Sequence, residues 1–272
     1  MSLHVNFLDP YRPRPSVIHG LDARVKLALA LAFILTVALT PPGAWPVYIL
    51  LFALVLSVEL LSELGVVSVL KRAMLALPFV LAALPVLVTT RGVPLAVIPL
   101  GPWALAISGP GLAKFLSIVA KSWLSVQMAI VLAASTPFPD LLLAMRAIRV
   151  PRLLVAIFGL MWRYLFVLVD EALRLLRART ARSGTSPAAS PGQKVGGSVA
   201  WRARVTGGMA GSLFVRSYER ADRIYAAMAA RGYDGEVRSF PLPPISAANW
   251  GVLLAGLGGL ALLAAAGLLF WG

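Results

Sequence analysis

The sequence predicts an all-α integral membrane protein, with about five transmembrane helices and a cytoplasmic helical domain built on two long amphipathic helices. Three observations carry that expectation. Hydrophobic residues make up 59% of the 272, charged residues only 13%, and the mean hydropathy is +0.84; a soluble domain needs about a quarter charged residues to face water. Several apolar stretches approach the ~20 residues that cross a bilayer. The 25 Lys and Arg against 11 Asp and Glu give a net charge of +14, and in a membrane protein such an excess marks cytoplasmic loops. The same composition excludes intrinsic disorder. The absence of cysteine excludes a disulfide scaffold, zinc–thiolate and iron–sulfur sites, and a cysteine nucleophile.

The first span is expected from Val25 to Thr40, closed by Pro41-Pro42, too far along the chain for a cleaved signal peptide. The others run from about Trp45 to Leu64, Ala73 to Thr90, Gly111 to Ala134 and Ala247 to Trp271. Leu153 to Val169 is apolar enough to suggest a sixth. Charge placement argues otherwise, because the block from Ser135 to Ile245 holds 16 of the 25 basic residues against 7 acids. The positive-inside bias puts that block in the cytoplasm with Arg12, Arg14, Arg24, Lys26, Lys71 and Arg72. Five crossings with the N-terminus inside satisfy every loop, and Leu153 to Val169 then lies under or in the membrane. The organisation expected is a four-helix membrane region over residues 1–134, a cytoplasmic block over 135–245 and a final span over 246–272.

Within the block, Pro137 and Pro139 stop the fourth span, and Asp140 is the expected N-cap of a short helix, Leu141 to Ile148. A long helix from about Leu153 to Arg182 should follow, ending at Ser183-Gly184. Residues 184–211, rich in Gly, Ser, Pro and Ala, read as a flexible linker. Ser212 is the expected N-cap of a helix from Leu213 to Arg231, closed by Gly232. Its apolar positions Phe214, Tyr218, Ala221, Tyr225 and Met228 step by four and three, with Arg216, Glu219, Arg220 and Arg223 opposite.

Each long helix ends in a small–Arg–small triplet, Ala181-Arg182-Ser183 and Ala230-Arg231-Gly232. Arginine at a helix C-terminus complements the dipole, worth about 0.3–1 kcal/mol. Equally, small neighbours let a protruding guanidinium enter a narrow groove and pair bidentately with a carboxylate. On residues alone both readings stand.

The run from Leu213 through Tyr225, continuing Met228-Ala229-Ala230-Arg231-Gly232-Tyr233-Asp234-Gly235, resembles the signature of the transmembrane T component of energy-coupling factor transporters, and is most similar to the cobalt-type CbiQ branch. Supporting matches are Leu21-Asp22-Ala23-Arg24-Val25-Lys26-Leu27, Arg149-Val150-Pro151-Arg152, Trp162-Arg163-Tyr164 with Asp170-Glu171, and Glu219-Arg220. The resemblance implies a non-catalytic coupling subunit in a bacterial or archaeal cell membrane. Its implied partners are two cytoplasmic ATP-binding subunits and a substrate-binding membrane component, and its implied cargo is cobalt, with nickel or a vitamin as alternatives. The two triplets are then the motifs that insert into the ATPase pair.

The residues themselves fit that role by lacking others. No Gly-x-x-x-x-Gly-Lys-[Ser/Thr] occurs, the nearest string being Pro191-Gly192-Gln193-Lys194, so ATP hydrolysis is expected from a partner. His4 and His19 are the only histidines and have no second ligand at helical spacing, so neither a metal site nor a cofactor is expected. The competing reading is a self-contained secondary transporter using Glu59 and Glu63 of the second span with Lys114 and Lys121 of the fourth, near Gln127. A basic block that binds RNA is the third. Anionic lipid is the other ligand such a block would take, but its charges are interleaved with apolar stripes and capped helices, unlike a polybasic arm; the partners expected include the lipid bilayer and no nucleic acid. Gly251, Ala255 and Gly259 offer a smooth packing face in the last span.

Overall fold

The computed structural model describes residues 10–74, 77–90, 94–100, 103–182, 198–235 and 243–271. They form two units, Met1–Ile148 with Leu242–Gly272, and Arg149–Pro241 inserted between.

The first unit opens with the short α1, Val17–Gly20, then α2, Ala23–Leu39, and α3, Trp45–Leu61. Both α2 and α3 are apolar on every side, as helices are when lipid replaces water around them. The third expected span is not one helix. In its place are α4, Val66–Ala73, α5, Leu77–Val80, a 3-10 turn at Leu81–Ala83, and α6, Val86–Thr89. Pro78 and Pro85 explain the interruption, since each lacks an N–H and crowds the preceding turn. Between the third and fourth expected spans lies an antiparallel pair, β1, Pro94–Leu100, and β2, Trp103–Ser108, with Ala96 opposite Ile107 through Leu100 opposite Trp103, and a register shift between Ala96 and Pro94, which faces Ser108.

Three helices complete the unit: α7, Gly109–Ser135, α8, Phe138–Ala147, and α11, Ala247–Trp271. The helix α8 starts earlier than expected. Pro137 is its N-cap and Pro139 lies in the first turn, where a missing N–H removes no helical hydrogen bond, so Asp140 is a first-turn residue favoured by the dipole and not the cap. Both Gly109–Ser135 and Ala247–Trp271 are long and apolar enough to cross a membrane, as is Arg152–Arg182 of the second unit, while Trp45–Leu61 is a shorter apolar helix.

The bundle core joins Phe33 and Val37 of α2, Leu51 and Val55 of α3, Leu124 and Met128 of α7, and Leu260 of α11. Phe52 stacks on Trp123 at 5.7 Å between ring centres. Of the small residues in α11, Gly256 is the one that α2 approaches: a Cβ there would lie 2.6 Å from a Leu29 methyl, whereas Gly251 and Gly259 face open space. Gly251 and Gly259 of the expected face are thus not the glycines against α2. Two small-residue stripes share the helix, and only packing selects between them.

Helix ends inside this unit are closed by polar groups from other turns and segments of the chain. Lys26, 9% exposed, donates from Nζ to the Ser135 carbonyl at 3.0 Å, and the Arg12 N–H donates to the Ala134 carbonyl at 2.9 Å; both carbonyls belong to the last turn of α7. Lys121 donates to the Ala38 carbonyl at the end of α2 at 2.9 Å. Asp22 caps α2 by accepting from the Arg24 N–H, and also holds the Arg24 guanidinium at 2.7 Å. The guanidinium nitrogen making that contact, Nη2, also donates to the Pro243 carbonyl at 2.6 Å, just before α11.

The second unit contains α9, Arg152–Arg182, and α10, Val199–Ala230. The expected linker is shorter than its composition suggests, because α10 begins at Val199 and not at Leu213. Ser198 caps it by accepting from the Trp201 N–H. Gly207, Gly208 and Gly211 are carried inside the helix, each at about 1 kcal/mol relative to alanine, since extending a formed helix is far easier than nucleating one. Residues 183–197 lie outside the described residues.

Two predictions follow from helix termini. Gly111 admits no side chain, because a Cβ would lie 2.8 Å from the Leu87 carbonyl oxygen and 2.7 Å from Ser108 Oγ; Gly111→Ala should destabilise the detergent-solubilised protein by about 1–3 kcal/mol in thermal melts. The Arg24 side chain beside Asp22 holds the Asp22 carboxyl below its ordinary value of 3.8. The pair's contribution is therefore whole above the ordinary carboxylate range and is lost as pH falls through the lower folded value. Melting temperature followed against pH should show an acid-side loss that Asp22→Ala removes.

Candidate functional site

The two arginine triplets end α9 and α10. Ala181 and Arg182 are exposed in the last turn of α9, while Ser183 lies outside the described residues. The second triplet is fully described. Arg231 is the C-cap of α10, and Gly232 follows at φ +78°, a conformation that side chains with a Cβ disfavour. The Gly232 N–H donates to the Ala229 carbonyl at 2.9 Å and the Tyr233 N–H to the Met228 carbonyl at 3.0 Å. Those two bonds are the Schellman pattern, which satisfies the last carbonyls by the backbone alone. The Arg231 side chain is consequently not needed to close its own helix and stands exposed.

Two cross-links join the helices that carry the tips. Glu171 of α9 accepts from Arg220 at 2.8 Å and from Arg216 at 3.5 Å. Arg220 holds the Glu171 carboxyl below its usual range, with Arg216 adding to the effect. Arg179 donates to Thr206 Oγ1 at 2.9 Å. Going forward along α9 from Glu171 to Arg179 goes backward along α10, so the helices run antiparallel here. At ~1.5 Å per residue this puts the two arginine tips at opposite ends of the pair, roughly 40 Å apart.

Between the helices lies an apolar groove of about 390 Å³, lined by Leu160, Tyr164, Leu168, Ile224, Tyr225 and Met228 among others. The expected stripe of α10 is thereby divided. Ala221, Tyr225 and Met228 line the groove, which leaves Tyr225 66% exposed, while Phe214 and Tyr218, 70% and 62% exposed, lie outside its lining. Arg220, expected on the polar side, turns toward α9 because Glu171 offers it a carboxylate. Glu171 entered the sequence reading only within a motif; its place between two arginines one turn apart depends on α9 crossing α10 and has no signature in either helix alone.

The remaining motif residues are scattered. The Pro151 carbonyl accepts from Leu154 and Val155, starting α9. The Arg163 guanidinium lies 5.9 Å from the Tyr164 ring centre, and Glu219 is exposed. Asp22, Arg24 and Lys26 belong to the other unit, at the start of α2.

The residues considered for an ion path do not assemble into one. Glu59 is 1% exposed, and among the described residues neither of its carboxylate oxygens has a hydrogen-bond partner. Glu63 follows the end of α3 at φ +54° and is exposed, so the two do not share a face. Lys114 is exposed, and Lys121 is engaged by Ala38. Gln127 is fully buried, its amide unpartnered among the described residues.

The cobalt transport protein family CbiQ matches residues 14–241. The cobalt transport protein CbiQ of Rhodobacter capsulatus is 31% identical over 60% of this chain, a match that spans 62% of that protein's length. The energy-coupling factor transporter transmembrane protein EcfT of Lactococcus lactis is 29% identical over 83% of both chains. The nickel permease LarQ of Lactiplantibacillus plantarum is 32% identical over 49% of this chain and 44% of its own length. With more than half of its length matched by one family, the chain belongs to the CbiQ cobalt transport proteins.

Proposed function

We propose that this chain is the transmembrane coupling subunit of an energy-coupling factor importer, converting movement of a cytoplasmic ATPase pair into movement of a membrane partner that holds the substrate. The observation that carries the reading is the presentation of Arg182 and Arg231 at the two ends of an antiparallel strut. A cation that merely completed its own helix would not need the backbone closure seen around Gly232. Tips roughly 40 Å apart suit two separate receptor grooves better than one. Each guanidinium offers a planar fork for a carboxylate in such a groove. ATP binding and hydrolysis then belong to the partners, and this chain supplies the lever.

Cobalt is the cargo that the family and the Rhodobacter relative suggest, and the nickel permease among the relatives makes nickel the alternative. The exposed Phe214 and Tyr218 suit an apolar contact with a membrane partner. The orientation that supports this reading has the N-terminus and the whole second unit in the cytoplasm, with α9 not crossing. Glu171 lies within α9 between arginines of α10, an arrangement suited to water and headgroups more than to lipid tails.

Arg182→Glu and Arg231→Glu should each weaken binding of the ATPase pair by at least about 30-fold, equivalent to about 2 kcal/mol, with the membrane bundle still folded. Co-purification and a binding isotherm on the solubilised complex check this, and undiminished binding in the double variant would overturn the coupling role. Because the natural chain lacks cysteine, Ile148→Cys and Ser212→Cys give clean probes of orientation. Both should react with an impermeant maleimide from the cytoplasmic side only; labelling from opposite sides would make α9 a span.

A further inference from the structure

Asp22, Arg24 and Lys26 occupy one turn at the start of α2, and within their own unit their side chains reach the segments that lead out to the inserted unit and back from it. The outgoing passage is the end of α7 followed by α8, leading to Ile148. Lys26 holds its first carbonyl, that of Ser135, at 3.0 Å, and the Asp22 and Asp140 carboxylates lie near enough to act on the ammonium. The returning passage reaches α11 through Pro243, whose carbonyl accepts from Arg24 Nη2 at 2.6 Å, the same nitrogen that together with Nε donates to the Asp22 carboxylate. An apolar residue at position 26 would fill the same space without the desolvation of a buried ammonium. Here the ammonium is stabilised because it sits at the negative end of α7.

We infer that Asp22, Arg24 and Lys26 form a clasp tying both passages to α2, so that displacement of the inserted unit is delivered to α7 and α11 together. A loop free in φ and ψ would absorb such a displacement; one held at its carbonyls by charge-assisted hydrogen bonds transmits it. The three are positioning residues, acting through the helices they hold. The inference rests on the coupling role proposed above and adds where the force enters the membrane unit.

The test uses the full complex with its ATPase pair in nanodiscs, carrying spin labels at Leu60→Cys in α3 and Leu254→Cys in α11, both exposed positions. The inter-label distance is measured without nucleotide and with ATP plus vanadate. The unmodified clasp should show a nucleotide-dependent shift. Arg24→Gln and Lys26→Met should reduce it by about threefold or more while ATPase binding and hydrolysis persist, and Lys26→Arg, which keeps the donor, should restore it. Should either variant fail to fold, Asp22→Asn keeps an N-cap acceptor but loosens the guanidinium, and should reduce the shift in a folded complex. An unchanged shift in these variants, or none with the clasp intact, overturns the inference. Failure of the unaltered chain to bind an ATPase pair would instead remove the coupling role itself.

Discussion

Helix ends dominate the organisation of the membrane unit. Each α-helix leaves carbonyls at its C-terminus without partners, and where water is scarce each unsatisfied group costs several kcal/mol. Here the partners come from neighbouring segments: Lys26 of α2 and the N–H of Arg12, ahead of α1, for α7, Lys121 of α7 for α2, and the Tyr48 hydroxyl of α3 for the Pro41 carbonyl just beyond α2. A need of the backbone thus becomes the means by which one helix is registered against another. Apolar packing around Phe33, Leu51, Val55 and Leu124 supplies cohesion, but it is non-directional. The polar ties at the helix ends set which turn meets which.

The inserted unit follows the opposite economy. Its α10 closes its C-terminus by backbone geometry at Gly232, leaving Arg231 exposed, and its two helices are joined through Glu171 and Thr206 more than through a filled core. Large apolar side chains such as Phe214 and Tyr218 face outward. A pair of helices with an unfilled groove and exposed tips has the character of an adaptor. Contact with partners, in the coupling role proposed for it, completes what the chain does not bury alone.

Several residues legible as chemistry in the sequence prove to be architecture. Glu59 and Glu63 stand at helical spacing, but α3 ends between them, so one is buried and the other exposed. Lys121 closes a helix and does not face Glu59's carboxylate across an ion path. Asp140 complements a dipole one turn into α8. Each was read from its own neighbourhood in the chain, whereas its partner comes from another helix or from a helix boundary that proline moved.

The sequence by itself determined the membrane class, the apolar helices around Val25 to Thr40, Trp45 to Leu64 and Gly111 to Ala134, the last helix, the long α9, and the family. These follow from composition, from hydrophobic runs and from short motifs, which are properties of consecutive residues. Tertiary structure decided that Gly256 is the residue of α11 approached by α2, that Arg220 turns inward to Glu171, that α10 starts at Val199, and that Asp22, Arg24 and Lys26 meet Pro243 and Ser135. The reason is physical: an acceptor more than a hundred residues away leaves no periodicity in the local chain. A glycine's helical tolerance likewise depends on the helix that continues beyond it.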